Sequence, residues 1–254
     1  MSRETARNVI IFGETGAGKS SVVNMIIGSD QATVSGDATR CTFDSTRFAT
    51  EIAGKSYNLF DTTGFGDFTY DSMDIFKTIQ TLHKFLTDLS KDGGIHLLVF
   101  VVRCGRLTQT VHKNYALFHQ GFCDAQVPIV VIVTGCEDVE PRMVEWWTRN
   151  ESFFTRAGMS FEDYACVCAF KGRSTPLGYA NEDLVDESTE LVEKLIAQHC
   201  KSVGWKKESN SWFRTISHLF KQLAPDPRSA RMASSPLQGG SSHLSPPSQQ
   251  STKN

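Results

Sequence analysis

Short apolar runs alternate with longer amphipathic stretches along the first 200 residues of the chain. The continuous, β-branched runs are typical of strands buried on both faces of a sheet, and they predict strands over 8–12, 95–102 and 127–133. The stretches beside them carry apolar residues at helical spacing and predict helices over 20–27, 74–89, 108–122, 142–156 and 182–200. This alternation favours an α/β fold with a mostly parallel sheet and helices on both faces.

Two further segments complete the predicted sheet. Residues 43–52 and 56–60 flank the turn Ala53-Gly54-Lys55 and predict an antiparallel hairpin at one edge. Residues 164–170 predict a last strand, in which alternation would put Cys166 and Cys168 on the same face.

The composition changes near the C-terminus. Residues 225–254 are mostly Ser, Pro, Gly and Gln, and such a segment cannot bury enough surface to offset its ordering entropy. Before it, residues 205–223 combine an apolar stripe with basic side chains, as in an amphipathic helix. This helix either packs on the main domain or contacts an anionic membrane or a protein partner. We therefore predict a globular domain over 7–202, an amphipathic helix over 203–224 and a disordered tail over 225–254.

A phosphate-binding motif follows the first predicted strand. The segment GETGAGKS fits GxxxxGK(S/T) at every fixed position, with a strand before it and a helix after it. Glycines let the backbone N–H groups turn inward toward an anion, and the helix N-terminus adds its dipole. Lys19 supplies a cation to the β- and γ-phosphates, and the Ser20 hydroxyl is a ligand for Mg²⁺. The predicted nucleotide-binding residues here are Gly13, Glu14, Thr15, Gly16, Ala17, Gly18, Lys19, Ser20 and Ser21.

A second motif, Asp61-Thr62-Thr63-Gly64, follows the strand of the predicted hairpin. A carboxylate at that strand end can hold Mg²⁺, while the N–H of Gly64 can contact the γ-phosphate and release it after hydrolysis. Between the motifs, a threonine hydroxyl can complete the Mg²⁺ shell, and Thr42 is preferred over Thr39 because it lies nearest the next strand. The predicted metal ligands are Ser20, Thr42 and Asp61, and the predicted catalytic residues are Lys19, Thr42 and Gly64.

Together these motifs predict a three-layer P-loop NTPase of the Ras-like G-domain type that binds GTP or GDP with Mg²⁺. Guanine differs from adenine in donating N1–H and N2–H₂, so a carboxylate can select it. GTPases usually place this carboxylate in an NKxD sequence after a buried strand. Here the strand is followed by Thr134-Gly135-Cys136-Glu137-Asp138, with Gly135 and Cys136 at the Asn and Lys positions.

The chain resembles the GIMAP (immunity-associated nucleotide-binding) GTPases and related chloroplast import receptors over roughly residues 7–200. Three segments carry the resemblance: the stretch 13–24, the box Gly105-Arg106-Leu107-Thr108, similar to GRFT, and the set Thr134, Glu137 and Asp138. The basic residue that the family places after the threonine is missing. The TGxE sequence and the pair Trp146-Trp147 also resemble fungal proteins with a GTPase domain.

The resemblance implies that Thr134, Glu137 and Asp138 bind the nucleotide. Asp138 is then assigned to the base, with Glu137 as the close alternative. It further implies that the backbone of residues 169–171 lies near the guanine carbonyl and that a homodimer forms across the nucleotide face. The missing Asn and Lys leave relaxed purine use open.

Phe65 stands where many GTPases have a glutamine that orients the attacking water. Phenylalanine cannot hydrogen-bond water, so we expect slow Mg²⁺-dependent hydrolysis, accelerated by an arginine in trans such as Arg40, Arg47 or Arg106. The predicted function is a GTP-binding switch. The alternatives are a nucleotide-locked interaction scaffold with negligible turnover and a P-loop ATPase with relaxed base selectivity.

Composition and apolar patterning also bear on the expected partners, location and core of the protein. A net charge of −2 gives no electrostatic reason to expect nucleic acid as a partner. The chain has no signal-like or membrane-spanning apolar run, so a cytoplasmic location is expected, with peripheral membrane contact left open through residues 205–223. The seven cysteines are expected to be reduced thiols, mostly in the core. For Trp146 and Trp147 we expect core packing of at least one, a partner surface being the alternative.

Overall fold

The computed structural model describes residues 5–32, 44–63, 72–176 and 178–206, with the backbone alone over 72–79. Several predictions lie outside these ranges: those for Thr39, Arg40, Thr42, Gly64 and Phe65, and those for residues 207–254.

The main sheet has six strands in the order β2-β3-β1-β4-β5-β6. Only the β2–β3 pair is antiparallel among these neighbours, and the other four pairs are parallel. This arrangement confirms the predicted α/β P-loop fold with an antiparallel edge strand. The strands are β1 (Arg7–Gly13), β2 (Ser45–Ile52), β3 (Lys55–Thr62), β4 (Leu97–Arg103), β5 (Ile129–Thr134) and β6 (Tyr164–Val167). A short hairpin that the sequence did not predict comprises β7 (Ser174–Thr175) and β8 (Gly178–Tyr179).

Helices cover both faces of the sheet because successive strand residues point to opposite sides, and both sides are apolar. On β1, Ile10 and Phe12 face one layer, while Val9 and Ile11 face the other. The helices of the first layer are α2 (Ser72–Lys91), α3 (Gln109–Tyr115), which continues as a π-helix over Ala116–Phe122, and α4 (Glu145–Arg156). Those of the second layer are α1 (Lys19–Ile27) and α5 (Glu182–His199).

The last strand is shorter than predicted, and this changes where its cysteines point. β6 ends at Val167 instead of residue 170. Cys166 packs into the layer that contains α4, whereas Cys168 packs into the layer that contains α5. The predicted shared face is therefore wrong, because the chain leaves the strand before Cys168 and the two-residue alternation no longer holds.

Aromatic packing fixes α4 on the sheet. Trp146 and Trp147 are both buried, which confirms the prediction of a core role. The Trp147 ring stacks on Tyr164 and Phe154, with centroid separations of 4.7 and 5.1 Å. The described cysteines are free thiols, of which Cys104 is half-buried and the others are buried. No helix in the described ranges is both long and apolar enough to cross a bilayer.

After α5 the chain returns to the amino end of β4. The backbones of Ile95 and Trp205 exchange hydrogen bonds of 2.9 and 2.8 Å. Gly204 passes close to the backbone of Gly93 and Gly94 and to the ring of His96. His96 is itself buried, and its Nδ1 accepts a 3.0 Å hydrogen bond from the Asn8 N–H. This closure lies at the end of the sheet opposite the phosphate motif.

The tight approach of Gly204 generates a stability prediction. A Cβ on this residue would lie 2.7 Å from the His96 Cε1 and 2.9 Å from the Gly94 carbonyl carbon, so the closing segment would have to shift. We expect Gly204→Ala to lower the free energy of unfolding by about 1–3 kcal/mol, measured by urea denaturation. The exposed Ser202 is the control, and Ser202→Ala should stay within about 0.5 kcal/mol. Equal effects of the two substitutions would contradict this packing.

Candidate functional site

The phosphate motif forms a loop between β1 and α1 that only glycine-rich sequence can follow. Gly16 and Gly18 adopt left-handed backbone conformations, with φ of 79° and 91°, and Gly18 directly precedes the first turn of α1. Gly13 passes so close to the carbonyl oxygen of Val101 that a Cβ there would collide with it. The loop is thereby shaped so that its amides and the N-terminus of α1 can meet an anion.

Lys19 folds back over this loop. Its Nζ donates to the backbone carbonyl of Glu14 at 2.8 Å and to that of Gly13 at 3.4 Å, and the residue is 7% exposed. Burial lowers the pKa of Lys19 from 10.5 to about 8, and the carboxylates of Asp61 and Glu14 oppose that shift. The ammonium is thus held at the loop in a partly desolvated position, where a bound anion would stabilise its charged form.

Asp61 and Ser20 meet at the carboxyl end of β3. The Ser20 Oγ donates to the Asp61 Oδ2 at 2.7 Å, and the other oxygen, Oδ1, is buried with no hydrogen-bond partner among the described residues. Burial raises the pKa of Asp61, while the Ser20 hydrogen bond and the Lys19 charge act in the opposite direction. A buried carboxylate oxygen beside a hydroxyl oxygen fits Mg²⁺, which prefers oxygen ligands.

A second contact joins the loop to α3. Thr108 is the N-cap of α3, and its Oγ1 accepts a 3.2 Å hydrogen bond from the Thr110 N–H. The same hydroxyl donates to the Glu14 carboxylate. The box 105–108, noted in the sequence only for its resemblance, is therefore in direct contact with the phosphate loop.

Thr134 joins β5 to the same loop. Its buried hydroxyl donates to the Ala17 carbonyl at 2.6 Å, across 117 positions of sequence. A Cβ on Gly18 would lie 3.1 Å from this Oγ1, so loop and strand end are in close contact. Thr134, predicted as a nucleotide-binding residue, thus fixes the position of the loop and also borders the space beside it.

That space is a cavity of about 240 Å³ at the carboxyl ends of β4, β5 and β6, which we call the strand-end cavity. Open α/β sheets bind ligands outside the carboxyl ends of their strands. The residues that line it are Gly18, Ser21, Arg103, Thr134, Gly135, Glu137, Ala169 and Phe170.

The structure separates the two acidic candidates for base recognition. Cys136 is buried, its N–H donates to the Val167 carbonyl at 3.2 Å, and its thiol donates to the Val133 carbonyl at 3.4 Å. With Cys136 held inward, Glu137 lines the strand-end cavity, and its Oε2 is buried with no hydrogen-bond partner among the described residues. Asp138 is exposed and is not among the lining residues. Of the two acids, Glu137 is therefore the one that lines the cavity.

The sequence did not predict that the side chains of two lining residues belong to the site. Arg103 is the last residue of β4, and Phe170 follows β6 with 65% of its surface exposed. A polar residue at the end of a buried strand was the signal that identified Asp61, and the same signal applies to Arg103. Phe170 was expected to contribute backbone alone.

A glycine-rich loop, a buried lysine and a serine–aspartate pair at the strand ends of a parallel sheet define a P-loop nucleotide-binding domain. Residues 7–221 match the AIG1 family, and the chain belongs to that family.

Curated relatives share part of the chain. Immune-associated nucleotide-binding protein 7 from Arabidopsis thaliana is 31% identical over 148 residues, which is 55% of this chain and 44% of that protein. Immune-associated nucleotide-binding protein 3 from the same plant is 28% identical over 143 residues, 54% of this chain and 40% of that protein. The chain therefore spans less than half the length of these relatives.

Solved structures share the fold at low identity. Era from Aquifex aeolicus, a variant bound to GDP·AlF4⁻, superposes with a TM-score of 0.54 and 16% identity over 81% of this chain and 60% of that one. A dimerisation-deficient mutant of Toc33 from Arabidopsis thaliana gives a TM-score of 0.52 and 16% identity over 79% of this chain and 88% of that one.

The lowered pKa of Lys19 generates a pH-dependent prediction for the ligand-free chain. Below pH 8 the folded state carries the full cost of the buried ammonium, and that cost disappears as the pH rises toward 10.5. We expect Lys19→Met to stabilise the ligand-free protein at pH 7, by up to about 3 kcal/mol from the size of the shift. The advantage should shrink between pH 8 and 10.5 when both proteins are unfolded in urea. A difference that does not change with pH would contradict the burial cost.

Proposed function

We propose that this chain binds GTP and GDP with Mg²⁺ and acts as a switch with slow hydrolysis. The observation that carries the proposal is the convergence of Lys19, Ser20 and Asp61 on one glycine-rich loop. Membership of a family with nucleotide-binding relatives supports it.

The phosphates are bound by the loop over residues 13–20. The backbone amides of this glycine-rich loop and the N-terminus of α1 provide fixed positive potential, and Lys19 adds a full charge. A triphosphate would also change Lys19 itself, because added negative charge favours the ammonium and offsets the effect of burial on its pKa. Binding therefore relieves an unfavourable feature of the ligand-free loop.

Mg²⁺ would be held by the Ser20 hydroxyl and Asp61, whose unpartnered Oδ1 is suited to a water of the metal shell. When bound, the ion would supply positive charge to the phosphates and to the charge that develops during transfer. Thr42 and Gly64 remain the proposed further metal ligand and γ-phosphate contact, and both lie outside the described residues.

Purine selection falls to Glu137 in the strand-end cavity. An ionised carboxylate accepts hydrogen bonds from the N1–H and N2–H₂ of guanine, whereas adenine presents an acceptor at N1. A buried carboxylate left facing an acceptor loses its solvation without compensation, which disfavours ATP. The position of Glu137 favours a GTP-binding protein over the ATPase alternative.

This assignment predicts different effects for the two neighbouring acids. With Mg²⁺, we expect GDP to bind at least about tenfold more tightly than ADP, roughly 1.4 kcal/mol. Glu137→Ala should reduce that preference sharply in competition titrations, because adenine loses little when the carboxylate is absent. Asp138→Ala, the matched control, should retain it. Loss of the preference in Asp138→Ala alone would reinstate that residue, and equal GDP and ADP affinity in the unaltered chain would favour relaxed purine use.

Hydrolysis is proposed to be slow in the monomer because Phe65 replaces a residue that could orient water. Arg106 is the described arginine closest in sequence to Thr108, whose hydroxyl contacts Glu14 of the phosphate loop. It is also exposed, so it is suited to act in trans across a homodimer. Dimerisation is important for the GTPase activity of the chloroplast translocon components atToc33 and psToc159, to which one solved structural relative belongs.

A dimer-dependent mechanism predicts that turnover per molecule rises with protein concentration. We expect Arg106→Ala to abolish this rise while GDP affinity stays unchanged, since the arginine would act on the partner's transition state. Arg142→Ala, which removes an exposed arginine paired with Glu145, should behave like the unaltered chain. Fast turnover that is independent of concentration would contradict the mechanism. Absence of turnover at every concentration would favour the nucleotide-locked scaffold.

A further inference from the structure

Gly135 contributes no side chain to the strand-end cavity, and a side chain from the neighbouring strand β4 lies beside that position. The residue has no side chain and a left-handed φ of 74°. The position that a Cβ on Gly135 would take lies 3.8 Å from the Arg103 Cζ and 3.9 Å from both its Nε and its Cγ. The arginine side chain therefore lies over the backbone of Gly135, in contact distance of any side chain placed there.

The strand order puts Arg103 and Phe170 on different sides of the cavity. β5 lies between β4 and β6 in the sheet, and the cavity opens at its carboxyl end. Arg103 ends β4, on one side of β5, and Phe170 follows β6, on the other. Both residues line the cavity, with Thr134 and Gly135 between them.

Both side chains, the guanidinium and the phenyl ring, offer a flat face on which another flat group can stack. A guanidinium group is planar and stacks on aromatic rings, and nucleobases stack on both arginine and phenylalanine. Arg103 lines the cavity, whereas Lys19, Ser20 and Asp61 are not among its lining residues. The arrangement matches a flat heterocycle with a carboxylate, Glu137, at its edge.

We propose that Arg103 and Phe170 are the walls between which the purine stacks, with the planar guanidinium of Arg103 lying over Gly135. This inference rests on the proposed nucleotide binding, and it assigns affinity for the base and preference between bases to different residues. Every purine has a π-face, so stacking sets affinity for guanine and adenine nucleotides alike. Glu137 alone then sets the preference between them.

Calorimetric titration with Mg²⁺ tests the proposal with GDP, ADP and inorganic pyrophosphate as probes. Base–aromatic stacking predicts that Arg103→Leu weakens GDP and ADP by the same factor, about tenfold. Pyrophosphate affinity should not change, and Arg103→Lys, which keeps the charge but not the plane, should not restore binding. Phe170→Ala should give the same pattern, and Phe170→Tyr should bind like the unaltered chain.

Two controls accompany this titration. Arg142→Gln removes an exposed arginine outside the cavity and should leave all affinities unchanged. Because Arg103 and Phe170 are exposed, thermal unfolding of the ligand-free variants should match that of the unaltered chain. Failure of the unaltered chain to bind GDP overturns the proposed function itself.

Two results overturn the stacking role while leaving nucleotide binding intact. One is an unchanged GDP affinity in Arg103→Leu. The other is an equal loss of pyrophosphate binding with rescue by Arg103→Lys, which would assign the arginine to phosphate charge.

Discussion

The site depends on a set of charges that the fold holds together without fully neutralising them. Lys19 is buried against backbone carbonyls, and the half-buried Asp61 accepts from the Ser20 hydroxyl, with its Oδ1 buried and without a hydrogen-bond partner among the described residues. Burial favours the neutral form of each group, because it lowers the pKa of Lys19 and raises the pKa of Asp61. The ligand-free protein therefore stores an electrostatic cost at this loop, which bound phosphate and a divalent cation are suited to relieve.

A parallel sheet brings these groups together from distant parts of the sequence. Strands that run in one direction end at one edge, so the loop after β1, Asp61 on β3, Arg103 on β4 and Thr134 on β5 become neighbours. The hydrogen bond from Thr134 to Ala17 connects the phosphate loop directly to the strand beside the cavity. Phosphate site and strand-end cavity are thereby parts of one surface.

The phosphate loop could be predicted from sequence because its geometry is local. Glycine spacing, a preceding strand and a following helix are all visible along the chain, and the same is true of the α/β alternation. Which of Glu137 and Asp138 lines the strand-end cavity was not visible, because it depends on Cys136 packing inward below the end of β5. Spacing by itself does not state which residue after a strand turns toward the core.

The pattern of apolar and polar residues also could not predict contacts between segments that are distant in sequence. Arg103 lies over Gly135 only because β4 and β5 are adjacent, and Thr108 reaches Glu14 only because α3 begins beside the loop. The face of Cys168 was mispredicted for a related reason, since an apolar run does not show where its strand stops. These features depend on which elements lie side by side and on where each strand ends, and a local sequence motif specifies neither.

The bridge between Ile95 and Trp205 has a consequence for how this domain can be used. It anchors the end of the described chain at the pole of the sheet remote from the nucleotide motif. A molecule that covered this pole would leave the strand ends at the opposite pole open, so the two ends of the sheet can be occupied independently.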